Sequence, residues 1–295
     1  MPVAFSFWSY ILLFQHRLFH TLHPRFTYHL TMCGRMILFR LGRFTDLFPW
    51  IRPGFDPGPR YNVSPMTDIP AVINDGTFTI SALRWGLVPS WSKDARVGSK
   101  MINARSETVL EKPSFKHAFQ SRRCLIPADG FYEWQTVPGR ARKTPHYIRS
   151  QTDRPLMFAG LWDRATIGGQ ILKTCTVLTT HANSMMSQMH DRMPVILPEQ
   201  SWRDWLEETS TDTLQGMLLP ASEDVLIASP VGVKVGNVRN EGPRLIESVS
   251  ESVSESVSES VSESGDEPRS SPAIAHRGKS LSKRNIKAAQ AGLFD

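Results

Sequence analysis

Cysteine is scarce in this 295-residue chain: Cys33, Cys124 and Cys175 are the only three. An odd count without a CxxC pair excludes a disulfide framework and gives no structural zinc site, so no metal is expected. No run of eighteen or more apolar residues occurs, which rules out a conventional membrane-spanning helix and leaves a membrane out of the expected partners. GxGxxG and GxxxxGK[ST] are both missing, so the nucleotide-binding α/β folds have no support. Acidic residues are absent from positions 1–45. Intrinsic disorder of the whole chain is also excluded, because 40% of the residues are hydrophobic and 21% charged. Few cysteines and no disulfide pattern point to a reducing compartment, the cytoplasm.

The formal net charge is +6, but it is unevenly spread. Residues 246–295 hold eight acids and six bases, residues 1–31 two arginines, and the stretch between nets +6 by itself. A basic globular middle is the electrostatic footprint of a polyanionic partner. Composition divides the chain at the same places. Residues 1–31 are aromatic-rich, with four histidines and an apolar run from Phe5 to Phe14. A signal peptide would carry basic residues before that run and a small-residue cleavage site after it; His16, Arg17, His20 and His23 follow instead. This segment reads as foreign to the fold. Residues 246–295 contain ESVS four times from Glu247, then Arg277, Lys279, Lys283, Arg284 and Lys287, and end in QAGLFD. A lone valine stripe buries little, whereas ordering costs about 1–2 kcal/mol per residue, so this part reads as a disordered tail.

Residues 32–245 remain as one domain. ILKTCTVLTT is β-branched and alternating, which predicts a strand from Ile171 to Thr180. RCLIPADGFYEW predicts two short strands around a Pro-Ala-Asp-Gly turn, PLMFAGLWDR another strand, and DVLIASPVGVKVGNV a late hairpin or pair of strands. Helices are expected at Pro113–Gln120, Asn183–His190 and Pro198–Leu206, with Asn183 or Ser184 as a cap and Pro198 in a first turn. The expected class is α+β, a single mostly antiparallel β domain with short helices.

Several residues in this domain could carry chemistry, each with a plainer alternative. Cys33 is either a small buried hydrophobe or, if Met32 is an initiator later removed, a terminal residue with both a free amine and a thiol. With reference pKa values of about 7.7–8.0 and 8.5, both groups are then partly nucleophilic near neutral pH. Such an aminothiol condenses with an aldehyde to an imine, and the thiol closes a five-membered thiazolidine. In SKMINARSETV, the spacing by two of Asn103, Arg105 and Glu107 puts them on one face of a strand, catalytic or merely a polar edge. Glu133 alternates with Phe131 in GFYEWQ; desolvated by aromatics it would be a general acid–base, and exposed it would be an ordinary strand residue. His190 ends a helix in MHDRMP and is a proton carrier or a surface histidine. Trp85 and Trp91 in RWGLVPSW are core aromatics or a stacking platform for unpaired bases.

Taken in order, MCGR, RWGLVPSW, NARSE, RCLIPADGFYEW, PLMFAGLWD, TVLTTHAN and HDRMPVIL closely resemble the SOS-response-associated peptidase family, the abasic-site processing proteins. The resemblance covers about Met32 to Asn240 and leaves out both ends. It implies an α+β domain with a basic groove for single-stranded DNA, in which Cys33 captures the aldehyde of an abasic site as a thiazolidine and shields the lesion. By the same resemblance Asn103, Glu133 and His190 are catalytic, and no metal or organic cofactor is required. Arg35, Arg105 and Arg192 adjoin these residues as phosphate ligands, and Trp85 matches a family position facing DNA. A DNA partner makes the protein nucleoid-associated, or nuclear in a eukaryote. Two other readings stand beside this one: a cysteine peptidase using Cys33 and His190, which also covers autoproteolytic exposure of Cys33, and a non-covalent single-strand-binding module. Gln290, Leu293 and Phe294 form a QxxLF spacing like that of peptides that dock on replication sliding clamps.

Overall fold

The computed structural model describes residues 34–152 and 154–249. Cys33, the first 31 residues, Gln290, Leu293, Phe294 and all but the start of the ESVS tract lie outside the described residues. The chain runs from β1 (Met36–Leu38) through helix α1 (Leu41–Leu47) to β2 (Arg60–Val63), β3 (Asp68–Asn74) and β4 (Phe78–Trp85). Then come β5 (Asn103–Arg105), α2 (Pro113–Ser121), β6 (Arg123–Ala128), β7 (Gly130–Gln135) and β8 (Thr144–Ser150). The long strands β9 (Leu156–Ile167) and β10 (Gln170–His181) lead to α3 (Ser184–Ser187), β11 (Arg192–Pro194), α4 (Trp202–Glu207), α5 (Thr211–Gly216) and β12 (Leu226–Pro230).

The strands form two sheets, and the α+β, mostly antiparallel class expected from the sequence holds. In one, the order is β12-β8-β7-β1-β2, every pairing antiparallel. In the other, β10-β4-β3-β6-β9 closes on itself because β9 also pairs β10, while β5 and β11 attach to the far half of β10. The β9–β10 hairpin sets the ring's longest register, from Gln170↔Ile167 to Val177↔Gly160. Its two-residue turn is Gly168-Gly169, both at positive φ (56° and 83°), the backbone that matches the twist of the flanking strands and that glycine adopts without strain.

α2 starts with Pro113 in its first turn and buries Phe115, Ala118 and Phe119, the i, i+3, i+4 stripe of one helix face. α3 is shorter than expected: the Asn183 side chain caps it by accepting from Met186 N, and the helix stops at Ser187, before His190. The expected Pro198 helix divides into a 3-10 turn, Glu199–Ser201, and α4. The late hairpin is corrected to one strand, β12, followed by a 3-10 turn at Val233–Gly236. The two strands expected around Pro-Ala-Asp-Gly are present as β6 and β7, but they do not pair with each other. β6 belongs to the ring and β7 to the five-stranded sheet, so Asp129 between them carries the chain from one to the other. Its buried carboxylate accepts from Phe39 N (2.6 Å), Arg40 N (3.0 Å) and Arg40 Nε (2.6 Å), fixing that crossing.

Apolar side chains fill the space on both sides of the five-stranded sheet. Phe131 and Ile148 face the ring, where Phe131 meets Phe158 edge-on at 5.9 Å, and Tyr132, Tyr147 and Val235 pack behind.

Candidate active site

A cavity of about 770 Å³ opens where the five-stranded sheet meets the loops leaving the ring. Its walls come from seven separated stretches of chain: Gly34–Arg35, Ser64–Pro65, Ile102, Glu133–Trp134, the Arg142–Pro145 segment, His190 and the turn around Val233–Val238. Glu133 gets there by strand alternation. Phe131 and Glu133 share the β7 face that looks toward the ring, and Glu133 is only 6% exposed, buried rather than standing on the surface. Its cavity is bounded by Trp134, Pro145 and Pro65, so the carboxyl is held in partly apolar surroundings.

Arg35 is held in place from below. Its Nη1 donates to Asn62 Oδ1 (2.7 Å) and Val235 O (2.9 Å), its Nη2 to Gly236 O (3.3 Å), and the guanidinium lies 5.9 Å from the Trp134 ring centroid. The buried Asn62 amide also donates to Val235, Asn237 and Asn240 carbonyls, tying the last turn of the domain to β2. Arg35 is therefore part of the cavity wall.

His190 follows α3, its backbone N–H bonded to Met186 O at 2.9 Å. Its Nδ1 lies 2.7 Å from Asp191 Oδ1 and 3.1 Å from Arg192 N. One nitrogen cannot serve both contacts in one protonation state. The imidazolium donates to Asp191; the neutral ring with its proton on Nε2 accepts from Arg192 N–H. Either state is supported by the surrounding chain, as suits a proton carrier.

Asn103 is half-buried at the start of β5, directly after the cavity residue Ile102. Pairing with Val177 of β10 fixes its strand, and the Trp85 indole N–H donates to Ile102 O at 2.9 Å just before it. Trp85 itself has no exposed surface. The base-stacking reading is corrected: this ring is core, and its contact is with the backbone leading to Asn103. The strand through NARSE ends at Arg105, and Glu107 sits in the 3-10 turn Ser106–Thr108, so the three residues do not share a strand face. Arg105 is exposed. Arg192 is not available as expected. Its fork is bonded to Glu107 (Nη1–Oε1 2.6 Å, Nη2–Oε2 2.9 Å) and to Thr179 O, with 14% of the side chain exposed. Burial acts to raise the Glu107 pKa, but the Arg192 hydrogen bond and charge outweigh it and hold the carboxyl below its usual range.

The sequence reading missed three residues at this cavity: Trp134, Arg142 and Lys143. The signal was present in GRARK, where Arg140, Arg142 and Lys143 fall in a loop between two strands with no acid from Thr136 to Lys143. The thiols elsewhere are unsuited to nucleophilic work. Cys124 and Cys175 are fully buried, and desolvation pushes both well above the ordinary thiol range. Among the described residues no cluster of three or more His, Cys, Asp or Glu could hold a metal ion.

Fold and cavity together define an α+β protein with a buried carboxyl and an imidazole at the seam of a closed strand ring and an open sheet. Residues 32–238 match the SOS response associated peptidase (SRAP) family, and the chain belongs to it. Abasic site processing protein YoqW of Bacillus subtilis is 42% identical over 226 residues, covering 74% of this chain and 100% of that protein. Abasic site processing protein HMCES of Xenopus tropicalis is 32% identical over 224 residues, 65% of this chain and 66% of that one. A crystal structure of a protein from Bordetella bronchiseptica superposes with a TM-score of 0.60 at 28% identity, covering 68% of this chain and 99% of the other.

Proposed function

We propose that the protein processes abasic sites in single-stranded DNA by joining itself to them through Cys33. The amine of a terminal Cys33 attacks the open-chain aldehyde, water leaves to give an imine, and the thiol adds across the C=N bond to close a thiazolidine. Imine formation requires a proton to leave the nitrogen and another to reach the departing oxygen. Glu133 does this work as general base and then acid, His190 exchanges protons at the sugar oxygen, and Asn103 holds the amine or sugar by neutral hydrogen bonds. The observation that carries the reading is the cavity itself: it brings together the buried Glu133, His190 and Gly34, the residue after Cys33 in sequence. The names of the relatives in two kingdoms point to the same lesion.

The mechanism requires that Met32 and everything before it be absent from the working protein, since an amide nitrogen at Cys33 cannot form an imine. Shielding the lesion in this way places the protein with chromosomal DNA, in the nucleoid or, in a eukaryote, the nucleus. The clamp-docking reading of Gln290, Leu293 and Phe294 rests on their spacing alone.

The test is a denaturing gel with abasic single-stranded DNA and protein whose N-terminus has been established by intact mass. A heat-stable shifted band is expected from protein beginning at Cys33, and none from Cys33→Ser or from protein with an acetylated Cys33 amine. A peptidase that needs only the thiol would survive acetylation, and a non-covalent binder would be indifferent to both changes. An equally strong band from acetylated protein would sink the thiazolidine mechanism.

A further inference from the structure

We propose that Val238 forms an apolar subsite at the edge of the cavity for the base of a nucleotide adjoining the abasic sugar. This rests on the abasic-site reading above and deepens it by naming what the site holds beside the lesion. Seven large apolar side chains are exposed among the described residues, and of these Val238 alone lines the cavity that holds Glu133, His190 and Gly34. It is 54% exposed. Val235, three residues earlier, is completely buried and packs with Ile37, Tyr132 and Tyr147 of the five-stranded sheet, anchoring the same stretch of chain.

Val238 stands at the tip of a closed turn. Asn240 N–H donates to Asn237 O at 3.0 Å, the i to i+3 bond of a β-turn with Val238 and Arg239 as its central residues. Side chains lock that turn. Asn237 Oδ1 accepts from Arg239 N (3.0 Å), and Asn240 Nδ2 donates to Lys234 O (2.7 Å). From beneath, the buried Asn62 amide donates to Asn237 O and Asn240 O, both at 3.0 Å. Asparagine favours turns through such bonds to nearby backbone. A β-branched valine has no such reason to be there, and at its exposure it gains little from the domain's own core. Because the tip is fixed, its apolar surface meets a ligand without a further cost of ordering.

The chemistry of the lesion identifies the ligand. Every base has a π-face that stacks, and in a strand those faces are covered by the neighbouring bases. Beside an abasic position one face is bare. Aliphatic side chains cover such faces when they enter the space between base steps. Since Val238 shares its cavity with Glu133 and His190, a strand whose abasic sugar lies there brings an adjoining nucleotide to the cavity edge. Covering the bare face adds affinity that an intact strand, whose bases cover one another, does not gain. The subsite therefore distinguishes abasic from intact single-stranded DNA before any covalent bond forms.

The test is equilibrium binding, by fluorescence anisotropy, of single strands with a tetrahydrofuran abasic analogue at their centre, which has no aldehyde to react. Val238→Ser should weaken binding about five- to tenfold, the loss of one aliphatic contact on a base. Two further strands carry a second tetrahydrofuran in place of the 5′ or the 3′ neighbour. One of them should bind the unaltered protein at least about fivefold more weakly than the first strand. On that strand Val238→Ser should cost nothing more, because the base it covers is already gone. Val238→Thr, nearly the same shape with a hydroxyl for a methyl, should show the same pattern with a smaller loss, and serves should the Ser variant not fold. An equal loss on all three strands overturns the proposal, and so does no loss on any. Absence of binding to every strand overturns it together with the abasic-site reading. A strand-dependent loss in a protein that forms no adduct on the denaturing gel supports the subsite and overturns only the thiazolidine chemistry.

Discussion

Arg123 and Glu133 lie ten residues apart, both more than nine-tenths buried, one on the strand ring and one on the five-stranded sheet. Their surroundings are opposites. Arg123 donates to the carbonyls of Phe119 and Gln120 in the last turn of α2 and to those of Trp205 and Glu208 at the end of α4. A cation at two helix C-termini satisfies acceptors that the helices leave open and meets the negative ends of two dipoles. Desolvation lowers its pKa, yet a guanidinium remains charged. Glu133 instead faces an open cavity of about 770 Å³. A buried charge enclosed by backbone acceptors stabilises the fold, whereas a buried carboxyl with open volume in front of it is placed for a substrate.

That contrast is most sharply tested at Glu133. Glu133→Gln keeps the volume and removes the transferable proton, so crosslinking to abasic single-stranded DNA should slow by about 10²–10⁴-fold with a nearly unchanged melting curve. A change under about threefold in the rate would remove Glu133 from the chemistry. Arg123→Ala should behave in the opposite way. It orphans several buried carbonyls at about 1–3 kcal/mol each, so denaturant unfolding should report a loss of about 3 kcal/mol or more. Below its melting temperature the folded fraction should still crosslink at close to the wild-type rate; a large specific loss in rate would break the distinction between the two sites.

Asn62 stands between these cases, because it is buried yet holds the wall of the cavity through Arg35. Asn62→Ala leaves Arg35 and the Val235, Asn237 and Asn240 carbonyls without their amide partner. Stability should fall by about 1–3 kcal/mol, and the rate should fall as well because the cavity wall is loosened. A stability loss with no change in rate would show that the Arg35 wall is not needed for the reaction.

Part of the ring was legible in the sequence: β10 alternates and β9 reads as a strand in PLMFAGLWDR, whereas β3 and β4 went unread. Partners across the sheet are not written in local pattern. Pro-Ala-Asp-Gly looks like a hairpin turn, and only the backbone donors at Phe39 and Arg40, some ninety residues away in sequence, turn Asp129 into a crossing between sheets. Alternation also gave the placement of Glu133 beside Phe131. It failed at NARSE, where the chain leaves the strand after Arg105 and the Glu107 carboxylate turns to Arg192. Trp85 was ambiguous from sequence because a tryptophan beside charged residues reads equally as core or platform, and burial alone separates the two.

The smallest expected effect concerns the basic rim. With Arg192 bonded to Glu107 and Arg35 to Asn62 and two carbonyls, Arg142 and Lys143 are the exposed cations lining the cavity. They sit on the β7–β8 loop, beside the buried Glu133 but separate from it in function: they should attract the phosphate chain without entering the chemistry. Each phosphate neutralised on single-stranded nucleic acid contributes about 0.7 to the slope of log K against log salt. Replacing both residues with alanine should therefore flatten that slope by about 1.4, weaken binding most at low salt, and leave the crosslinking rate at saturating DNA within about threefold. Stability should barely move, since exposed side chains contribute little to it. An unaltered slope would move the phosphate track to another face of the domain, and a large fall in the saturated rate would make this loop part of the catalytic wall.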